Sequence, residues 1–295
     1  MNTLSDPRKE EEIPPIEHPF REFVRMYCRN GAAVIGFIFF TAIVLTAILA
    51  PIFWDKDPLE IVWAPYTPPG EEGFILGTDL LGRDLFVELV FGARATLAVG
   101  AVAAALTLTI GLTIGALAGY YRGWVDEVLM RITEFFQVLP ALLLAMVLVA
   151  LFEPTLETVA IAIGVVAWTS VARLARAEFL RIREMEFVKA ARSIGCGDAR
   201  IIWRIILPNA LPPLIVNAAL TVGVAILFEA ALSFLGLSDP NVVSWGKIIG
   251  DNRDALLDYP WMVALPGAAI FFTVLSMSLI GDGLNDAFNP KLRDR

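Results

Sequence analysis

The sequence predicts an all-α membrane protein with six spanning helices, and three observations carry that prediction. Hydrophobic residues make up 57% of the 295-residue chain, with a mean hydropathy of +0.67, well above the roughly half-apolar usage of soluble domains. Apolar runs of about 20 residues, enough to cross a hydrocarbon layer about 30 Å thick, recur near 31–53, 94–119, 133–152, 158–175, 211–237 and 262–282. Lys and Arg are also unevenly shared between alternate connections. With the N-terminus inside, eighteen of the 23 fall in internal segments, leaving Lys56, Arg83, Arg94, Lys247 and Arg253 outside. That asymmetry places both termini in the cytoplasm. The formal net charge of −8 has no weight here, because acids lie on both sides and contribute little to orientation.

Taken in order, residues 1–20 form a polar tail in which Pro14, Pro15 and Pro19 stand among acids, a composition expected to be disordered. Ala47 and Ala50 offer a cleavage-like end to the first apolar run, so a signal peptide is the competing reading. The run exceeds an h-region of about 7–15 residues, and Glu10, Glu11, Glu12, Glu17 and Glu22 precede it, so it reads as a retained helix.

Residues 21–92 are read as this first span, an external loop and an interfacial helix. The first half of the loop is rich in Pro and Gly. In the second half, Gly77, Thr78 and Asp79 are followed by Gly82, Arg83 and Asp84. On a helix, Asp79 and Arg83 would pair at i, i+4; the same element also suits contact with a partner.

Residues 93–289 hold the other five spans. In the first of these, Gly111, Gly115 and Gly119 recur every four residues, which permits close helix approach. Packing within this chain and a seam with a second subunit both fit. Pro140 removes a backbone donor and is expected to kink the next helix, for packing or as a hinge. Arg173 and Arg176, at the end of the following run, read as snorkelling to the interface. Glu229 lies inside the fifth apolar run, where an ionised side chain costs about 2.5–3.5 kcal/mol, so it should face a pore, a polar partner or the outer interface. Asp282 and Asp286 read as interfacial, and residues 290–295 as a second cytoplasmic tail.

Between the fourth and fifth runs lies the most informative segment, Phe187–Asn209. Phe187 to Ser193 suits a short helix, Gly195 and Gly197 permit a turn, and Asp198 is a suitable N-cap for a second helix. There, Ile201, Ile202, Ile205 and Ile206 form an apolar stripe, with Arg200 and Arg204 off it. Pro208, Pro212 and Pro213 are expected to end this helix and open the fifth span. A stripe this short must bury against something, either a protein surface or anionic lipid.

Enzymatic signatures are missing from the sequence. Gly246-Lys247 is followed by Ile248 rather than Ser or Thr, so there is no phosphate-binding loop. There is no nucleophile elbow or zinc-protease motif. The lone His18 and the cysteines Cys28 and Cys196, on the reducing side, suggest neither a metal site nor a disulfide.

The spacing from Ala190-Ala191 through Gly195 to Ile205 and Leu207-Pro208 resembles the EAA loop of binding-protein-dependent ABC importer permeases, with Lys189 where that family's name has Glu. Gly77-Thr78-Asp79, Gly82-Arg83-Asp84, Gly92-Ala93-Arg94-Ala95-Thr96-Leu97, the Glu229–Gly236 stretch and Ser244-Trp245-Gly246 resemble the C-type subunit of dipeptide and oligopeptide permeases. The resemblance runs from about Arg21 to Asn289 and implies the type I ABC importer permease fold. It also implies that Lys189, Ala190, Ala191, Gly195, Ile205, Leu207 and Pro208 couple the chain to ATPases. The implied partners are a homologous second permease, two ATP-binding subunits that hold ATP and Mg, an external substrate-binding protein and the lipid bilayer. No cofactor in this chain and no nucleic acid are implied. The implied cargo is di- or oligopeptides, the family also handling nickel, glutathione and oligosaccharides. A transporter driven by an ion gradient is the competing class, and would need more intramembrane ionisable residues than Glu229.

Overall fold

The computed structural model describes residues 19–288. Most of the expected 1–20 tail with His18, and the 290–295 tail with Lys291, Arg293 and Arg295, lie outside the described residues.

Helix α1 (Pro19–Arg29) leads into α2 (Gly31–Phe53). Asn30 joins them by capping α2 at the Ala33 amide and donating to Asp286 Oδ2 at 2.8 Å. Asp286 is thus more than an interfacial charge: it ties the start of the chain to the end of the last helix. Helix α3 (Leu85–Tyr121) opens on Asp84, whose carboxylate accepts from the Phe86 and Val87 amides. At 37 residues it is about 55 Å long, so the expected interfacial helix and second span are one continuous helix. The boundary set at residues 92 and 93 falls inside it.

Helices α4 (Gly123–Val138) and α5 (Ala141–Leu151) are bent by 85° at Leu139 and Pro140. The expected kink is a full break, because Pro140 has no N–H and disfavours helical geometry in the residue before it. Helix α6 (Leu156–Arg183) then packs along α3. A Cβ on Gly111 would lie 2.6 Å from Val171 Cβ, and one on Gly119 2.7 Å from Phe179 Cβ. Contact positions on both helices rise together, so α3 and α6 run parallel. Between them α4 and α5 carry the chain back across, which makes the bent pair the sixth crossing beside five long apolar helices. The glycine repeat therefore serves packing within this chain.

Arg176 and Arg173 both meet protein acceptors. The Arg176 guanidinium holds Asp126 of α4 through two contacts of 2.5 and 2.7 Å, and Arg173 donates to Gln137 at 3.1 Å. Because α4 lies against the end of α6, protein acceptors meet both arginines there.

After α7 (Glu186–Ser193) the chain forms α8 (Asp198–Ile201), a π-turn over Ile202–Ile206 and α9 (Leu207–Phe234). Helix α10 (Trp245–Asn252) lies on the face opposite α7, and α11 (Trp261–Phe288) returns to the α7 face.

Candidate functional site

The α7–α9 segment forms a handle built on its own chain. Val188, Ile201 and Ile206 are buried with Tyr120, Phe179 and Ile182, and Cys196, Ile205 and Leu207 pack against them. Ile201 and Ile206 of the isoleucine stripe are therefore buried against α3 and α6, while Ile202 and Ile205 are only partly covered. What the handle presents outward is its other surface: Lys189, Ala190, Ile194, Arg200, Trp203 and Arg204 are exposed, Ile194 by 81% and Trp203 by 66%. Ala191 is half-buried, and the Lys189 ammonium lies 3.2 Å from Glu186.

Gly195 ends α7. Its φ of +83° is the left-handed conformation that side-chained residues resist. Its N–H donates to the Arg192 carbonyl at 3.0 Å, and the Cys196 N–H donates to Ala191 at 3.1 Å. This pair of bonds closes the helix end as a Schellman motif.

The second helix is capped differently from expectation. Gly197 occupies the N-cap and Asp198 is the first helical residue, so its carboxylate is free of capping and accepts from the Tyr120 hydroxyl at 2.5 Å. Arg183 and Arg192 stand 5.7 and 5.8 Å from the centre of the Tyr120 ring. Arg122 joins the same corner through Glu184 at 2.9 Å.

Nor do Pro208, Pro212 and Pro213 separate this helix from the span. The Leu207 N–H reaches back five residues to the Ile202 carbonyl, and this wider turn accommodates Pro208, which has no N–H to donate. Asn209 Nδ2 adds a side-chain donor to the Ile205 carbonyl at 2.7 Å. A single helical rod thus runs from Asp198 to Phe234, carrying the handle surface directly into the membrane.

On the opposite face, residues 77–84 form a tight turn instead of a helix. Asp79 Oδ1 accepts from the Leu81 N–H at 2.8 Å and the Arg83 N–H at 2.7 Å. The expected pairing of Asp79 with Arg83 is therefore through the backbone, while the Arg83 guanidinium lies 3.6 Å from Glu88. Gly82, with φ of +83°, fixes the turn, and a Cβ on Gly77 would meet the Thr67 carbonyl. Thr78 is fully buried, donating to the Ala64 carbonyl at 2.7 Å and accepting from the Thr67 amide at 2.9 Å. The turn docks on α10 where Asn252 Oδ1 accepts from the Leu80 N–H at 3.2 Å. Burial pushes the Asp79 and Asp251 carboxyls up and the Lys247 ammonium down from their ordinary values. Lys247 Nζ is met by the carbonyls of Asp239 and Pro240 at 3.0 and 2.6 Å.

Glu229 is 1% exposed and faces the polar partners that the sequence reading allowed. Its Oε1 accepts from Ser233 at 2.8 Å and Ser244 at 2.7 Å. Ser244 in turn caps α10 by accepting from the Lys247 N–H. Glu229 thus fastens α9 to the cap of α10. Sequence reasoning missed Tyr120, Asp126 and Asn252, because each acts on a residue far away in the chain.

Residues 111–294 match the family described as binding-protein-dependent transport system inner membrane component. The chain belongs to that family. Residues 18–69 match the N-terminal transmembrane domain of oligopeptide transport permease C. A dipeptide transport system permease protein of Alkalihalophilus pseudofirmus is 39% identical, with 98% of this chain and 95% of the relative covered. The oligopeptide transport system permease protein of Bacillus subtilis is 38% identical, with 90% and 87% covered. A chain of the inward-facing MetNI methionine ABC transporter shares the fold, with a TM-score of 0.57, 22% identity, and 66% and 93% coverage. This permease is accordingly a multi-pass transport component and not an enzyme.

Proposed function

We propose that this permease is the membrane-spanning subunit of an ATP-driven importer of di- and oligopeptides, and that the α7–α8 handle docks on its ATPase subunits. The observation that carries this reading is the handle's construction. An exposed surface of Lys189, Ala190, Ile194 and Trp203 is held rigidly on α3 and α6 and is continuous with α9. Closure of two ATPases on nucleotide would move that surface and tilt the fused helices as rigid bodies. Gly195 sets the angle of the two short helices, and Ile205, Leu207 and Pro208 join the second of them to α9. ATP and Mg belong to the partner subunits, and this chain binds neither.

Peptide as cargo is supported by the names of the two relatives above. A homologous second permease completes the pore, and a substrate-binding protein meets the face carrying Thr78–Asp84 and α10. The handle face is cytoplasmic on the Lys and Arg distribution, so Cys196 should react with impermeant thiol reagents in inverted vesicles only.

Mass spectrometry of what co-purifies with the tagged chain in mild detergent tests the assembly. ATPase subunits and a second permease are the expected companions. A homo-oligomer lacking ATPases would overturn the proposal in favour of a gradient-driven transporter.

A further inference from the structure

We propose that the groove between α2 and α3 binds one glycerophospholipid, with its phosphate on Arg94 and an ethanolamine-type ammonium facing Asp57. This rests on the chain crossing a membrane and is independent of the handle's role.

Two cavities meet at Arg94. One, of about 740 Å³, opens between the helices and is walled by apolar side chains including Phe40, Val44, Ile48 and Leu97. The other, of about 380 Å³, lies under the loops of the Thr78–Asp84 face and includes Asp57 and Asn241. Arg94 and Ala98 line both. An apolar slot joined to a polar chamber is the shape of an amphiphile. From Ile52 to Phe40 the slot follows α2 for twelve residues, about 18 Å of helix, and the part beyond Arg94 gives the upper half of an acyl chain an apolar wall.

The charge at the junction is uncompensated. Among the described residues Arg94 has no hydrogen-bond or ion-pair partner. Arg94 is exposed at the outer start of the apolar run 94–119. Trp54 and Phe86 pack edge to face at 5.3 Å at the loop end of the groove. Arg94 lies eight residues further along α3, about 12 Å along its axis. Cations at the end of a membrane segment reach for headgroups, and a lipid phosphate at this end of the slot gives Arg94 a charge-assisted, bidentate acceptor.

The headgroup chamber selects further. Asp57 Oδ1 accepts from the Leu59 N–H at 2.9 Å, and the neighbouring Lys56 is directed to Asp84, 3.8 Å away. A carboxylate beside the phosphate position suits a zwitterionic headgroup and repels a purely anionic one.

Native mass spectrometry of the full chain, with whatever subunits accompany it, tests this after exposure to equimolar phosphatidylethanolamine and phosphatidylglycerol. The wild-type protein should retain one phosphatidylethanolamine. Arg94→Gln should lower retention about tenfold, the loss expected for one charge-assisted contact. Ala101→Trp, at an exposed groove position, should lower it similarly by filling the slot, and Asp57→Asn should abolish the preference between the two lipids. Equal retention in wild type, Arg94→Gln and Ala101→Trp would overturn the proposal. So would preferential retention of phosphatidylglycerol, or a wild-type complex without lipid because a second permease subunit fills the groove.

Discussion

The Tyr120 hydroxyl at the end of α3 donates to the Asp198 carboxylate at the start of α8 over 2.5 Å. Two residues 78 apart in sequence thereby fix the outer helix of the handle to the longest helix of the bundle. In Tyr120→Phe the ring remains for Arg183 and Arg192, and only this bond is lost. A hydrogen bond to a charged group contributes about 1.5–3 kcal/mol, so the handle should loosen without unfolding. In proteoliposomes containing the whole transporter, ATP hydrolysed per peptide imported should rise severalfold while hydrolysis itself continues. An unchanged ratio would remove Tyr120 from the coupling path.

The parallel seam of α3 and α6 has no room at Gly115. A Cβ there would lie 2.7 Å from Ala175 Cβ and 2.9 Å from the Arg176 nitrogen. Gly115→Val should cost about 1–3 kcal/mol or more through overpacking, visible as a lowered midpoint in thermal unfolding followed by size-exclusion chromatography.

Glu229 distinguishes a fastening role from a transport role. Glu229→Gln keeps an acceptor for Ser233 and Ser244, whereas Glu229→Ala leaves two buried hydroxyls without their partner, at about 1–3 kcal/mol each. The glutamine variant should keep near wild-type stability and peptide uptake. The alanine variant should lose stability first, with uptake falling in proportion to surviving protein.

Asp79 gives the Thr78–Asp84 turn a pH dependence. Its carboxyl is raised by burial, so the folded turn binds a proton more tightly than the unfolded chain does. Stability is full below the ordinary carboxylate range and falls as pH rises through the raised value. Asp79→Asn keeps the acceptor for Leu81 and Arg83 and should flatten that dependence. Asp79→Ala should destabilise by about 1–3 kcal/mol, since two amides lose their acceptor. Hydrogen exchange at Leu81 and Arg83 across pH reads both effects.

Much of this architecture was legible in the sequence because hydrophobic length and glycine spacing are local signals. The apolar cores of the five long spans stand where the runs placed them, the run at 133–152 being broken at Leu139 and Pro140, and Gly195 takes the left-handed conformation its turn required. The failures came where a local rule met a distant partner. Asp79 and Arg83 suit a helix by spacing, yet Gly82 between them turns the chain and Arg83 finds Glu88 instead. Asp198 suits a cap, yet Tyr120 claims its carboxylate and Gly197 takes the cap position. The isoleucines read as a docking stripe, but Tyr120, Phe179 and Ile182 of the same chain bury Ile201 and Ile206 and leave Ile202 and Ile205 only partly covered. Pro208 reads as a stop, and the π-turn before it lets the helix continue.

The docking role of the handle is tested most directly by placing a photo-cross-linking residue at Ile194, 81% exposed at the handle tip, with buried Ile201 as the internal control. Illumination of the intact transporter in membranes should join position 194 to an ATPase subunit, with a nucleotide-dependent yield, and position 201 only to its own chain. Adducts at position 194 formed with lipid alone, in a complex that still contains ATPases, would contradict the docking assignment.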